Sequence, residues 1–177
     1  GEALERSKKI DTVIFDKTGT LTEGKPRVTE IIALKGKEKD ILKIAASVEK
    51  LSEHPLAQSI VQEAHARKIT LGKVTKFKSV TGKGVHAKIG TATIRIGNLR
   101  MMKENKIATT TAQNDVNMLE NEAKTVIAIA KNKQIIGANA IADTLKSDAK
   151  EAVEQLHAMN IETWMITGDN QKTAQAI

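Results

Sequence analysis

The spacing of apolar and polar residues changes along the chain, and these changes predict its secondary structure. Residues 12–15 (TVIF) form a short β-branched run, and residues 164–167 (WMIT) form a second one that leads into GDN. Between residues 147 and 159 the apolar positions recur every three or four residues, as on one face of a helix. A strand, a connecting helix and a second strand are typical of parallel α/β sheets. We therefore predict that these segments share one parallel sheet.

The segment between the two predicted strands is far longer than the dozen or so residues that a crossover needs. Helical spacing marks residues 41–51 and residues 55–64, and Pro55 stands at the first helical position of the second stretch. Four short alternating runs follow, and they predict an antiparallel sheet. These runs are GVHAKIG, TATIRIG, KTVIAIA and QIIGANAIA. Residues 98–123, which lie between the second and third runs, are predicted to be helical.

This order predicts an α/β fold with an insertion. A helix-covered antiparallel domain, residues 25–142, is carried inside a parallel α/β domain made of residues 1–24 and 143–177. We expect the two outer segments to be less stable than the inserted domain, because they contain few predicted strands.

Composition adds limits on function. Hydrophobic residues make up 40% of the 177 residues and aromatic residues only 2%, so the core must be aliphatic and base stacking is poorly supported. The net charge of +7 comes from lysines spread along the chain, which favours a solvated surface over a nucleic-acid face. No window approaches the length of a membrane span, and the first residues do not form a signal peptide. We expect no nucleic-acid partner.

The absence of cysteine excludes disulfides, zinc knuckles and thiol nucleophiles. The histidines at positions 54, 65, 86 and 157 are too widely separated to show the paired spacing of metal ligands. Candidate chemistry must therefore come from carboxylates, hydroxyls and lysines.

The segment DKTGTLT, residues 16–22, directly follows the first predicted strand. Asp16 stands at the carboxyl end of that strand, where open α/β sheets place their ligands. A free carboxylate can act as a nucleophile and take a phosphoryl group. Lys17 and the backbone N–H groups of a turn at Gly19 would offset the negative charge. An ordinary strand-ending Asp in a Thr/Gly turn would not account for the other residues.

DKTGTLT resembles the phosphorylation signature of the P-type ATPases at all seven positions, and the resemblance extends over essentially the whole chain. It implies a haloacid dehalogenase-like phosphorylation domain in which Asp16 is the phosphorylated nucleophile. It also implies that Asp16 and the backbone carbonyl of Thr18 bind Mg²⁺, with Lys17 and Thr20 in the same phosphate-binding loop. Related phosphatases carry a second Asp where this chain has Thr18, and its replacement favours a long-lived phosphoenzyme.

Two further segments resemble the same family. MITGDN, residues 165–170, matches its TGDN segment and implies that Thr167, Gly168 and Asp169 complete the phosphoryl site beside Asp16. DTLK, residues 143–146, resembles the hinge that returns from the inserted domain, although a helix-starting Asp explains it equally well.

SEHPLA, residues 52–57, resembles the His-Pro motif of the heavy-metal branch of P-type ATPases. The resemblance implies that His54 orients the adenine ring and that Glu49 holds the adenine edge. Without this context a lone histidine is commonly a structural residue.

A glycine-rich stretch, TGKGVHAKIG, begins at residue 81. It does not fit a dinucleotide-binding fingerprint, because it precedes an alternating strand rather than a helix. The resemblance implies that Gly82 and Gly84, followed by Val85, let the backbone approach the nucleotide. Gly97 and Asn98 resemble a further nucleotide-contacting pair, and the alternative for Asn98 is an N-cap of the next helix.

The resemblance implies the ATP-binding and phosphorylation portion of a heavy-metal P-type ATPase, with copper(I) export as the expected function and ATP and Mg²⁺ as cofactors. Zinc, cadmium or silver transport are the alternatives. The implied partners are membrane helices, an actuator domain, the heavy-metal ion and a possible metallochaperone, and the implied location is the cytoplasmic side of an integral membrane protein. The family's later lysine and Gly-Asp-Gly segment are absent, so full turnover by this chain alone is not expected.

Two other functions remain open from the residues alone. A soluble haloacid dehalogenase-like phosphatase would share the fold, although the missing second Asp disfavours it. A nucleotide-sensing module would bind ATP without taking up phosphate at Asp16.

Overall fold

A computed structural model of the chain describes residues 10–168 and 171–175. These residues divide into two compact units. The first unit contains residues 10–25 and 143–168, and the second contains residues 26–142 and 171–175. Within these ranges no helix is both long enough and apolar enough to cross a membrane.

The first unit is built on two parallel strands, as predicted. Strand β1 (Thr12–Asp16) pairs with β8 (Glu162–Ile166), and helix α5 (Ala149–Ala158) precedes β8 and packs against it. A kinked loop, Lys17–Leu21, follows β1 directly, and non-helical φ and ψ angles at Thr18 and Gly19 interrupt its helical turn. The predicted order of strand, helix and strand is confirmed.

The second unit contains a six-stranded antiparallel sheet in the order β2-β7-β6-β5-β4-β3. Its strands are β2 (Arg27–Ala33), β3 (Thr75–Val80), β4 (Gly84–Ile89), β5 (Ala92–Gly97), β6 (Thr125–Lys131) and β7 (Gln134–Ala142). The four alternating runs became β4 to β7. Strands β2 and β3 were not predicted, because a register shift interrupts each of them and β3 carries two lysines among its six residues.

Helices cover both faces of this sheet. Helices α1 (Glu38–Glu49) and α2 (Pro55–Ala66) enclose one aliphatic core, and α3 (Leu99–Glu104) and α4 (Thr110–Asn121) enclose a second. The region 98–123 was expected to be helical and contains two helices rather than one. The chain turns at Lys106, whose φ of 56° is left-handed and incompatible with a continuous helix.

The last described helix differs from the expected domain division. Helix α6 (Gln171–Gln175) was expected with the phosphorylation domain, yet it packs against α4 of the second unit. Thr173 is fully buried there, and its hydroxyl donates to the carbonyl oxygen of Lys124 at 3.2 Å. This hydrogen bond and the burial of Thr173 fix α6 on the second unit.

One buried polar side chain disagrees with its surroundings. Asn139 lies at the centre of β7, between Ile31 of β2 and Ile127 of β6, and is fully buried. Neither its amide nitrogen nor its amide oxygen has a hydrogen-bonding partner among the described residues. Burying an unpaired amide costs free energy, so Asn139 is a local defect in an otherwise aliphatic sheet.

Asn139→Val should therefore stabilise the second unit. The substitution removes both unpaired polar atoms and favours an extended backbone, and we expect the free energy of unfolding to rise by about 1–3 kcal/mol. Urea unfolding of the variant and the parent chain measures this difference. Asn139→Asp is the matched control and should destabilise the unit, because it buries a charge. A lower stability of the valine variant would contradict the assignment of a defect.

Candidate functional site

The carboxyl ends of the two parallel strands bring the first set of predicted residues together. Asp16 lies directly opposite Ile166 in the register of β1 and β8. Thr167 and Gly168 follow Ile166 and therefore leave the sheet at the same edge as the Asp16 side chain, since neighbouring strands lie about 4.8 Å apart. Asp169, predicted for the same site, lies outside the described residues.

The loop after β1 has a defined hydrogen-bond pattern. The backbone N–H of Thr18 donates to Asp16 Oδ1 at 3.1 Å. The N–H of Gly19, whose φ is +80°, donates to Thr22 Oγ1 at 3.2 Å. Lys146 Nζ donates to the Gly19 carbonyl at 2.9 Å. The Lys17 side chain is buried, with 8% of the residue exposed. These contacts hold the loop in one conformation around the carboxylate.

Asp143 fixes the base of this loop. Its Oδ2 accepts hydrogen bonds from Thr22 Oγ1 at 2.6 Å and from the Gly24 N–H at 3.1 Å, and its Oδ1 accepts from the Lys25 N–H at 2.9 Å. Thr22 also forms an antiparallel bridge with Leu145. The helix-starting alternative for Asp143 is wrong, because α5 begins six residues later, at Ala149.

The Asp16 carboxylate has the features of an accessible nucleophile. The residue is exposed, and among the described residues only the Thr18 N–H donates to it, leaving Oδ2 unpaired. Mg²⁺ prefers carboxylate and carbonyl oxygens and keeps several waters or phosphate oxygens as ligands. Asp16 and the Thr18 carbonyl fit that preference, although the described residues contain no cluster of three acidic, histidine or cysteine side chains.

In the second unit, Gly84 and Gly97 lie opposite each other on β4 and β5. A Cβ atom at Gly84 would lie 2.1 Å from the Ile96 carbonyl oxygen, and one at Gly97 would lie 2.1 Å from the Lys83 carbonyl oxygen. Gly84 also has a φ of +140°. Only glycine permits this approach of the two backbones, so the pair has a structural role beside any contact with a ligand.

Asn98 ties the turn before β4 to helix α3. Its Nδ2 donates to the Gly82 carbonyl at 3.2 Å, its backbone N–H donates to the Lys83 carbonyl at 3.0 Å, and its Oδ1 caps α3 by accepting from the Met101 N–H at 2.9 Å. The N-cap alternative is therefore confirmed for Asn98. The same side chain positions the turn that contains Gly82, where a Cβ would have no described atom within 4 Å.

Val85 contributes its side chain to the core rather than to a surface. It is 4% exposed and packs in the aliphatic cluster that α1 and α2 cover. Only its backbone could meet a ligand at the start of β4.

His54 is the N-cap of α2. Its Nδ1 accepts a hydrogen bond from the Leu56 N–H at 3.2 Å, so in the neutral ring the proton lies on Nε2. The residue is exposed, and Nε2–H is left as an outward donor. The structural and functional interpretations of His54 are thus compatible.

Glu49 lies in the last turn of α1 and is 6% exposed. Burial raises the pKa of its carboxyl from 4.5 to about 7, and a hydrogen bond with Ser52 opposes this change. A buried acid that is partly neutral near pH 7 can both donate and accept hydrogen bonds, as recognition of an adenine edge requires.

A separate groove of about 350 Å³ lies at the other end of α1, near Asp40 and Ile41. Asp40 is nine residues before Glu49, or about 13 Å along the helix axis. None of the predicted nucleotide-site residues lines this groove.

Comparison with known proteins defines the class. The family model for haloacid dehalogenase-like hydrolases matches residues 10–177, so the chain belongs to this family. Its first unit supplies the strand-end Asp16 and the second unit is the insertion.

The relatives narrow the class to P-type ATPases. The copper-exporting P-type ATPase of Staphylococcus haemolyticus (strain JCSC1435) is 44% identical over 177 residues, which is 100% of this chain and 22% of the relative. A zinc-transporting PIB-type ATPase in its E2.Pi state aligns with a TM-score of 0.69 and 35% identity, covering 98% of this chain and 28% of the other. The chain thus spans about a fifth of the length of the curated relatives it matches.

A third comparison concerns an isolated segment. The catalytic domain of a CPx-ATPase, CopB-B, whose structure was described upon nucleotide binding, aligns with a TM-score of 0.68 and 31% identity. The alignment covers 98% of this chain and 60% of that domain.

The raised pKa of Glu49 predicts a pH-dependent stability. A carboxyl whose folded-state pKa exceeds its unfolded-state value stabilises the fold fully below pH 4.5, and this contribution is lost as pH rises to about 7. We expect a loss of up to about 3 kcal/mol in the unfolding free energy of the second unit. Glu49→Gln, which stays neutral, should lack this slope. Urea unfolding followed by amide resonances of the second unit measures it, and identical pH profiles for both proteins would contradict the prediction.

Proposed function

We propose that this chain is the ATP-binding and phosphorylation segment of a heavy-metal transporting P-type ATPase, and that Asp16 receives the γ-phosphoryl group of ATP. The observation that carries the proposal is the position of Asp16: an exposed carboxylate at a parallel strand end, opposite the Thr167–Gly168 turn, with an unpaired Oδ2. This is where an α/β sheet binds its ligands.

In the proposed reaction Asp16 Oδ2 attacks the γ-phosphorus, forming an O–P bond as the bond between that phosphorus and the β,γ-bridging oxygen breaks. ADP leaves with the bridging oxygen, and Asp16 becomes an acyl phosphate. The Thr18 N–H orients the carboxylate through Oδ1. Lys17, Thr167 and Gly168 are the proposed donors to the phosphoryl oxygens. Mg²⁺, held by Asp16 and the Thr18 carbonyl, would neutralise developing charge.

The proposed nucleotide site is in the second unit. His54 presents Nε2–H to the adenine ring, Glu49 holds the adenine edge, and the glycine turn at Gly82 and Gly84 lets the backbone approach the nucleotide. The fixed Nδ1 of His54 and the open space over Gly82 support this arrangement. Gly97 and Asn98 shape the turn from the opposite strand.

Copper(I) export is the proposed function of the whole protein. The similarity to copper-exporting relatives at 44% identity supports it, and the alignment with a zinc-transporting ATPase at 35% identity keeps zinc as the alternative. In this proposal the segment lies on the cytoplasmic side of a membrane protein and works with membrane helices, an actuator domain, the transported ion and a metallochaperone. A phosphatase is disfavoured, because Thr18 replaces the acid that such an enzyme would need.

Asp16→Asn should abolish phosphate incorporation without weakening ATP binding. The amide cannot form the acyl phosphate, and Asp16 lies outside the unit proposed to bind the nucleotide. Incubation with γ-labelled ATP and Mg²⁺, acid quenching and hydroxylamine treatment measures the acyl phosphate. Asp11→Asn is the matched control, since Asp11 is an exposed acid beside the same strand. Label that survives in the Asp16 variant would overturn the assignment.

The two roles of His54 can be separated by a matched pair of variants. Asparagine replaces histidine as a helix N-cap but has no ring, so His54→Asn should retain stability and bind ATP about tenfold more weakly. His54→Ala should bind as weakly and also lose about 1 kcal/mol of stability. Isothermal titration with ATP and thermal unfolding give the two readouts. Unchanged affinity in the asparagine variant would exclude a role for the ring.

A further inference from the structure

Lys83 stands between the two glycines of the turn before β4, and its side chain has a single partner. The ammonium lies 2.7 Å from Glu104 Oε2 on helix α3, in an ion pair whose side chains are 32% and 40% exposed. The backbone around Lys83 is fixed, because its N–H donates to the Val80 carbonyl at 3.0 Å and its carbonyl accepts from the Asn98 N–H at 3.0 Å. The four-carbon side chain is therefore the part of this residue that can move.

Glu104 has a second cation. Arg100 Nε, one helical turn earlier, lies 3.2 Å from the other carboxylate oxygen, Oε1. The hydrogen bond from Lys83 is the main cause that lowers the pKa of Glu104, and Arg100 acts in the same direction. If Lys83 left, Glu104 would still be paired with Arg100. Exposed ion pairs are weak, so little opposes this exchange.

We propose that Lys83 binds the phosphate groups of the nucleotide and that Glu104 holds it in reserve until the nucleotide arrives. The proposal rests on the nucleotide site proposed above and deepens it by naming the residue that distinguishes ATP from adenosine. A lysine ammonium in a glycine turn is well suited to phosphate as a mobile point charge. In the free chain the carboxylate of Glu104 occupies the ammonium, and the phosphates compete for it.

This arrangement makes Glu104 a positioning residue with an inhibitory effect. Removing its charge frees Lys83 and also removes a negative group from the neighbourhood of the phosphates. Removing Lys83 takes away the phosphate contact and leaves the adenine contacts intact. The two substitutions should therefore change the ATP affinity in opposite directions.

The test is a titration of the full 177-residue chain with ATP and with adenosine, followed by isothermal calorimetry and backbone amide shifts. Lys83→Met should bind ATP about tenfold more weakly and adenosine equally well, because one charge-assisted hydrogen bond is lost. Lys103→Met is the matched control: it removes a charge from the same helix and should leave both affinities within about twofold. An unchanged amide spectrum of the second unit verifies the fold of each variant.

Glu104→Gln should bind ATP about threefold more tightly, with no change for adenosine. In the Lys83→Met background the same substitution should have little effect, because Glu104 acts through Lys83. Weaker ATP binding by Glu104→Gln, or an equal gain in both backgrounds, would overturn the reserve role.

The outcomes separate this inference from the proposed function. If the parent chain and Lys83→Met show the same ratio of ATP to adenosine affinity, the role of Lys83 is wrong while the nucleotide site stands. If the parent chain binds neither ligand, the proposed nucleotide site is wrong and the role of Lys83 falls with it.

Discussion

The carboxylate of Asp143 holds together the two chain segments that join the units. It accepts hydrogen bonds from Thr22 and from the backbone at Gly24 and Lys25, so the outgoing and returning segments are fixed side by side. Thr22 in turn accepts the N–H of Gly19, which sets the turn of the loop beside Asp16. The geometry around the proposed nucleophile thus depends on an acid more than 120 residues away in sequence.

The two proposed sites solve opposite problems. Around Asp16, hydrogen bonds fix the loop and leave one carboxylate oxygen unpaired, as a nucleophile needs. In the second unit the backbone is equally fixed, because Gly84 and Gly97 leave no space between their strands. Recognition there falls to mobile or titratable side chains, such as Lys83 and the buried Glu49. Rigid backbone with adjustable side chains lowers the entropic cost of binding.

Local patterns predicted most of the elements and the residues of the signature loop. The parallel pair β1 and β8, helices α1 and α2, and four of the six antiparallel strands follow from apolar spacing alone. Strand β3 was missed because lysines occupy its exposed positions, and one helix was expected where Lys106 forces a turn. The contacts of Asp143 and the ion pair of Lys83 join residues that no local pattern connects, since they depend on tertiary packing.

The register at the edge of the six-stranded sheet has an evolutionary consequence. Arg27, near the start of the second unit, is paired with Ala142 on the neighbouring strand. A segment whose entry and exit lie one strand spacing apart closes with little loss of chain entropy and leaves its host sheet undisturbed. Such an insert can be lengthened, trimmed or exchanged between hosts as a cassette. Nucleotide preference and phosphoryl chemistry could then diversify at different rates within one polypeptide.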